Sequence, residues 1–240
     1  SSPVQIGSSS WTAVSAGLAH TAGILSGGFL FTWGLGTSGQ LGDGTALGKS
    51  SPVQIGSSSW TAVSAGNSHT AAVRSDGLLF VWGGSSFGQL GDGTIVGKSS
   101  PVQIGSSSWK LVATNAYDTL ATLSVNTLYS WGRNTYGQIG DNSSSTINKS
   151  SPVLIGNNTP TSESIPTQVG SSSWTMVSAG SLHTAALRSD SMLFAWGNND
   201  FGQLGNSTIT TQSSPVLIGS SSWTMVDSGN LHTTAIKPTV

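Results

Sequence analysis

The stretch Trp60–Gly105, "WTAVSAGNSHTAAVRSDGLLFVWGGSSFGQLGDGTIVGKSSPVQIG", decides the fold. It divides into four short β-prone runs, WTAVSA, HTAAVR, LLFVW and PVQI, each bounded by turn-forming residues. Gly66, Asn67 and Ser68 part the first run from the second. Asp76-Gly77 parts the second from the third and is a hairpin signal. GQLGDGT stands between the third and the fourth. No 3.6-residue apolar period persists anywhere in the chain, so no helix is predicted.

In LLFVW both alternating sets are apolar, with Leu78, Phe80 and Trp82 on one side and Leu79 and Val81 on the other. A strand apolar on both sides must be covered on both faces. Four-stranded sheets stacked face to face around an axis meet that need, and a period of about 40–50 residues suits one propeller blade per unit. The period is present. The Trp of SSSW falls at Trp11, Trp60, Trp109, Trp174 and Trp223, at intervals of 49, 49, 65 and 49; a Trp followed by Gly falls at Trp33, Trp82, Trp131 and Trp196. These two sets account for all nine tryptophans. Each buried Trp removes about 150–250 Å² from water, worth roughly 4–6 kcal/mol against an extended chain. Stacked blades held by tryptophan therefore need no disulfide, and the chain has no cysteine.

The pattern AGxxHTAA, LFxWGxxxxGQLGDGT and SPVxIG, repeated in this order, resembles the regulator of chromosome condensation repeat family. That resemblance implies an all-β protein, a β-propeller, often of seven blades. It covers essentially the whole chain. The units are about 11–56, 60–105, 109–156 and 174–219, with a partial fifth at 223–236 to which residues 1–7 contribute an outer strand. The third unit departs from the pattern: SAGNSHT becomes ATNAYDT, and Asp118 stands where the other units have His. After the second run of the fifth unit the chain stops. Either residues 1–7 close the last blade, or the units belong to a larger ring, since seven units of 49 would ask for about 343 residues by the family analogy. The missing third strand favours the larger ring. The 65-residue interval carries an insertion, 157–173, that duplicates the outer strand around an Asn/Thr/Pro loop and holds Glu163, the sole Glu of the chain.

Composition narrows the function. Only 7% of residues are charged, against about 25% in an average soluble domain, and the formal net charge is −1. There is no electrostatic footprint for nucleic acid or an anionic membrane, and no apolar run long enough for a helical membrane span. His20, His69, His183 and His232 recur at one repeat position, each followed by Thr. A ring of imidazoles suits a metal, but Asp118 breaks the ring, and a structural role with the imidazole bonded to neighbouring backbone explains the recurrence. No metal site is expected. GLGTSG, residues 34–39, matches a dinucleotide fingerprint by accident, since that motif needs a following helix. Asp43 and Asp92 of GDGT each support a turn, one carboxylate per loop falling well short of calcium's needs. Neither a GxSxG elbow nor an acid/base pair of carboxylates is present, so no catalytic residue and no cofactor is expected.

These features point to a non-enzymatic structural or interaction propeller. Near-verbatim, Ser/Thr-rich units are similar to repeat arrays of bacteriophage virions and secreted bacterial proteins. The expected location is accordingly extracellular or on a virion surface, with a protein or cell-surface partner. The residues expected to meet it lie in the variable pairs between AG and HT, namely Leu18, Asn67, Tyr117, Leu182 and Leu231, and in the insertion, namely Asn157, Asn158, Thr159 and Glu163. The resemblance implies two alternatives: guanine-nucleotide exchange on a small GTPase, with the insertion as wedge, and inhibition of a β-lactamase-like enzyme, with aromatic anchors drawn from Tyr117, Phe87, Tyr136 and Phe201. Light sensing, as in the plant ultraviolet photoreceptor of the family, needs Trp two residues before His-Thr, and no unit has it.

Overall fold

The computed structural model describes residues 5–141, 147–155 and 173–238. All regular structure in these residues is β-strand, grouped in four four-stranded antiparallel sheets and one two-stranded sheet. Blade 1 is β1 (Trp11–Ala16), β2 (His20–Leu25), β3 (Leu30–Gly34) and β4 (Lys49–Gln54). Blade 2 is β5 (Trp60–Ala65), β6 (His69–Arg74), β7 (Leu79–Gly83) and β8 (Lys98–Gln103). Blade 3 is β9 (Trp109–Thr114), β10 (Asp118–Leu123), β11 (Leu128–Gly132) and β12 (Lys149–Leu154). Blade 4 is β13 (Trp174–Ala179), β14 (His183–Arg188), β15 (Leu193–Gly197) and β16 (Gln212–Leu217). Blade 5 pairs β17 (Met225–Ser228) with β18 (Thr233–Ile236). In every blade strands pair in chain order, and the architecture is an all-β, propeller-type stack of sheets. The expected outer strand at residues 1–7 lies partly outside the described residues, and Gln5–Gly7 carry no strand.

The first strand of each full blade opens on a β-bulge. Trp60 pairs with Arg74 and Ala62 with Val73, which leaves Thr61 as the extra residue; Thr12, Lys110 and Thr175 stand in the same place. A bulge twists the strand locally and re-aims the side chain beside it, here the Trp. The extra threonine is anchored by its own hydroxyl, which donates to Val73 O at 3.3 Å in blade 2 and to Ile24 O at 3.2 Å in blade 1. Trp60 then meets Phe80 edge-on at 5.5 Å and Trp82 at 6.2 Å, and the arrangement recurs in blade 4 and, with Tyr129 in place of the Phe, in blade 3.

The core is not inside any one sheet but between them. Ala22, Ile24, Leu30 and Ile55 of blade 1 pack with Trp60, Ala72 and Trp82 of blade 2. Equivalent clusters join blade 2 to 3, 3 to 4, and 4 to 5. Trp82, Trp131 and Trp196 are completely buried. The antiparallel order sends the β1–β2 and β3–β4 connections, with their counterparts, to one end of the stack. The hairpin turns and the SSSW junctions go to the other. The first end is the loop face and the second the hairpin face.

Candidate functional site

At each regular seam between blades a short relay of hydrogen bonds crosses from one unit to the next. His20 Nε2 lies 2.8 Å from Thr70 Oγ1, and the Thr70 hydroxyl donates to Gln40 O at 2.8 Å. A hydroxyl has one proton to give, so the imidazole Nε2–H is the donor to Thr70. Gln40 O also accepts from Trp82 Nε1 at 3.0 Å. The next seam repeats this with His69, Thr119, Gln89 and Trp131, and the fourth with His183, Thr233 and Gln203. These three histidines are thus structural: each bonds a threonine hydroxyl of the following blade, and His69 and His183 also meet that blade's backbone at Asp118 and His232. Burial pushes His20 down to about 4, His69 to about 3 and His183 to about 4, so all three are neutral at pH 7.

Two glycines of the repeat answer to this relay. A Cβ on Gly66 would lie 2.5 Å from Asn115 O of the next blade and 2.5 Å from Cε1 of His69, so the Gly of AG makes room for both the neighbouring backbone and the imidazole. Gly42 has φ +76°, and a Cβ there would lie 2.5 Å from Trp82 Nε1. The second Gly of GQLG therefore serves a left-handed turn and the close approach of the indole at once. A third seam bond comes from the inner strand, where Ser15 Oγ accepts from Ala65 N, Ser64 Oγ from Thr114 N and Ser178 Oγ from Ser228 N, at 2.8–2.9 Å.

The third unit loses these features together. Ala113 replaces the serine and Asn115 replaces the glycine. Asn115 fills the space an imidazole would take: its Nδ2 donates to Asp118 Oδ2 at 2.7 Å, and its Oδ1 accepts from Tyr117 N and Asp118 N. Among the described residues no hydrogen bond joins Asp118 to Thr184, and Thr184 reaches Gln138 O at 3.3 Å instead of 2.8 Å. Burial pushes the Asp118 carboxyl up to about 8, so it is protonated and neutral at pH 7 despite the bond from Asn115.

On the loop face beside this altered unit, four side chains converge from two blades. Phe87, in the β7–β8 connection, meets Tyr117, in the β9–β10 turn, at 4.9 Å and 62°. The Arg133 guanidinium lies 5.4 Å from the Phe87 ring, 5.6 Å from Tyr117 and 6.0 Å from Tyr136. All four are half-buried. Arg133 Nε donates to Thr135 Oγ1 at 3.0 Å and Arg133 N to Tyr117 O at 3.1 Å, which pins both ends of the residue.

The model of the regulator of chromosome condensation (RCC1) repeat matches residues 27–73, 76–117, 126–187 and 190–236, and a second model of that repeat matches 60–89 and 175–203. The chain belongs to the RCC1 repeat family. Solved structures of similar fold include human WBSCR16, with TM-score 0.84 and 23% identity over 99% of this chain and 60% of that one. Prp20p from Saccharomyces cerevisiae, described with its binding properties to Gsp1p and histones, gives TM-score 0.78 and 21% identity over 98% and 58%. Yeast RCC1 (Prp20) with Kap60 bound to it gives 0.80 and 20% over 98% and 56%. The chain thus spans under two thirds of the length of each. No curated protein matches it in sequence.

Within this RCC1-repeat frame the expected contact residues are one to a blade. Leu18, Asn67, Tyr117, Leu182 and Leu231 all lie on the loop face, Leu18 being 77% exposed and Leu231 41%. Backbone bonds tie successive turns, Leu18 N to Gly66 O and Asn67 N to Asn115 O. Of the five, Tyr117 joins the side-chain cluster. Asn157, Asn158, Thr159 and Glu163 lie outside the described residues. Their described flanks, Ile155 and Ser173, sit at the hairpin face, the end opposite the five turns. Asp43 and Asp92 support their turns as expected, each accepting from the Thr two residues on, and each pairs with a lysine, Lys49 at 3.0 Å and Lys98 at 3.5 Å. Among the described residues no group of three or more His, Cys, Asp or Glu could hold a metal ion. Among the described residues no helix is long and apolar enough to cross a membrane.

Two residues escaped the reading of the sequence. Asn115 was legible as a second change in the unit that carries Asp118, but its meaning depends on the imidazole clash. Arg133 was legible as the only Arg after a WG pair; its neighbours come from a loop 46 positions earlier and from a turn 16 earlier.

Proposed function

We propose that this chain is a non-enzymatic interaction propeller, exposed on a virion or outside the cell, whose loop face receives a protein partner. One observation carries the reading. The repeated residues are used up in the seams, whereas the departures Tyr117 and Arg133 meet Phe87 and Tyr136 in a single half-buried cluster on that face. Loops on a rigid β scaffold are where binding is borne, and aromatic and Arg side chains are the residue types that dominate interface energetics. The Ser/Thr-rich, weakly charged units support the exposed setting.

Photo-crosslinking tests it. With a benzophenone side chain at position 18, 117 or 231, a single partner adduct is expected in the protein's native source. The same probe at Asp76, on the hairpin face, yields none. Adducts from Asp76 alone, or from no position, would sink the reading. Guanine-nucleotide exchange, the alternative that family membership offers, is measured by nucleotide release from a panel of small GTPases; accelerated release would replace the present proposal.

A further inference from the structure

The loop-face cluster has a chemistry that narrows its partner. Of the eight Lys and Arg residues, five are closed on aspartates: Lys49 on Asp43, Arg74 on Asp76, Lys98 on Asp92, Lys149 on Asp141 and Arg188 on Asp190. Lys110 donates to Asn126, and Lys237 lies over Trp223 on blade 5. Arg133 differs from all of these. Its guanidinium is framed by three rings and held by Thr135, and among the described residues no carboxylate pairs with it. The other two arginines, Arg74 and Arg188, also sit over a ring, Phe80 and Phe194, but each is spent on an aspartate two residues on.

We propose that Arg133, framed by Phe87, Tyr117 and Tyr136, is the anchor for a carboxylate side chain in an acidic segment of a partner protein. This inference rests on the loop-face reading above. Arg is suited to the task because its planar fork matches a carboxylate in two parallel hydrogen bonds. Rings and Thr135 hold the fork in place beforehand, so little rotamer freedom remains to be lost on binding. The rings also shield the charge from water, which strengthens its attraction for an incoming anion. An acidic side chain brings an aliphatic stem to lie on the aromatic rims, a contact that a free inorganic anion cannot make. The acid behind the cluster, Asp118, feels the Arg133 charge and its backbone N–H, but burial outweighs both and favours the neutral carboxyl, and no ion pair joins the two among the described residues.

With only three arginines in the chain, the Nε–H resonances in a ¹⁵N-edited NMR spectrum read the idea directly. The probe is a blocked hexaglutamate peptide, compared with hexalysine and inorganic phosphate. Arg133 Nε–H is expected to shift saturably with hexaglutamate while Arg74 and Arg188 stay still. Loss of a charge-assisted hydrogen bond predicts about tenfold weaker binding in Arg133→Gln, and Tyr117→Ala weakens it several-fold. Arg133→Lys keeps the charge but not the fork, and should not restore the wild-type affinity. No shift of Arg133, equal shifts of all three arginines, or equal affinity for phosphate would each overturn the proposal. If hexaglutamate fails while position 117 still crosslinks a partner, the acidic chemistry falls and the loop-face reading stands; if both fail, both fall.

Discussion

The first, second and fourth seams join their blades through a histidine, a threonine and a serine; the third lacks the histidine and serine bonds and keeps only a longer threonine bond, Thr184 to Gln138 O, beside that of Trp196. Yet its apolar packing is intact, with Leu120, Leu128, Ile139 and Ile155 against Trp174, Ala186 and Trp196. Hydrophobic burial therefore holds blades together at every seam, and the histidine and serine bonds are additions that one seam can lose. What is lost is replaced locally rather than across the seam: Asn115 and Asp118 bond to one another inside blade 3. The pair must change together. Asn beside His collides, and Gly beside Asp leaves a void.

That coupling gives the largest expected effect. Gly66→Asn, placed in a regular seam, should cost roughly 3 kcal/mol, the upper range for forcing atoms into a packed core. Adding His69→Asp should recover part of it. A double-mutant cycle in urea should therefore show coupling of about 1–3 kcal/mol, and strict additivity would show that the two positions are independent.

Next comes pH. Asp118 has a folded pKa of about 8, above its unfolded value, so its favourable contribution is complete below about pH 4 and lost as pH rises through 8. The seam histidines run the other way: folded values of about 3–4 lie below 6.5, so their contribution is complete above pH 6.5 and lost as pH falls towards 4. Asp118→Asn keeps the neutral shape and should remove the alkaline loss. The variant is expected to gain several kcal/mol over wild type at pH 9 and almost nothing at pH 4, read as urea midpoints. An unchanged difference across that range would refute a protonated Asp118.

A smaller contrast separates two threonines. Thr70→Val breaks the bonds to His20 and Gln40 together and should cost about 2 kcal/mol, whereas Thr184→Val, with a single long bond to Gln138, should cost about 1 kcal/mol or less. Equal losses would mean that the relay adds nothing beyond one bond. The smallest effect is a gain. Ala113→Ser restores the hydroxyl that the other seams direct at the next inner strand and should stabilise by about 0.5–1 kcal/mol in thermal melts.

The fold was legible because its signals are local or periodic. Alternation in LLFVW, the Asp76-Gly77 turn and the 49-residue tryptophan spacing name strands, hairpins and blades without any knowledge of contacts. Even so, the outer strand begins earlier than PVQI, at Lys98 rather than Pro101, because the extended KSS segment pairs Lys98 with Gly83. The site was legible only in outline. Tyr117 stood out as a departure within its own unit, but the ring it meets belongs to the preceding blade, and nothing in the order of letters reports a contact across a seam. The partner of the histidines was missed for the same reason: Thr70 lies 50 residues from His20 and beside it in space.

A surface built from near-copies offers a visitor the same foothold several times over. Such degeneracy invites several weak occupants at once, or one that hops between equivalent blades. Tyr117 and Arg133 occur in one blade alone and remove that ambiguity. The expected stoichiometry is one partner molecule per chain, seated at a fixed angle about the propeller axis. On the proposed reading, the aberrant unit is an index mark on an otherwise unmarked dial.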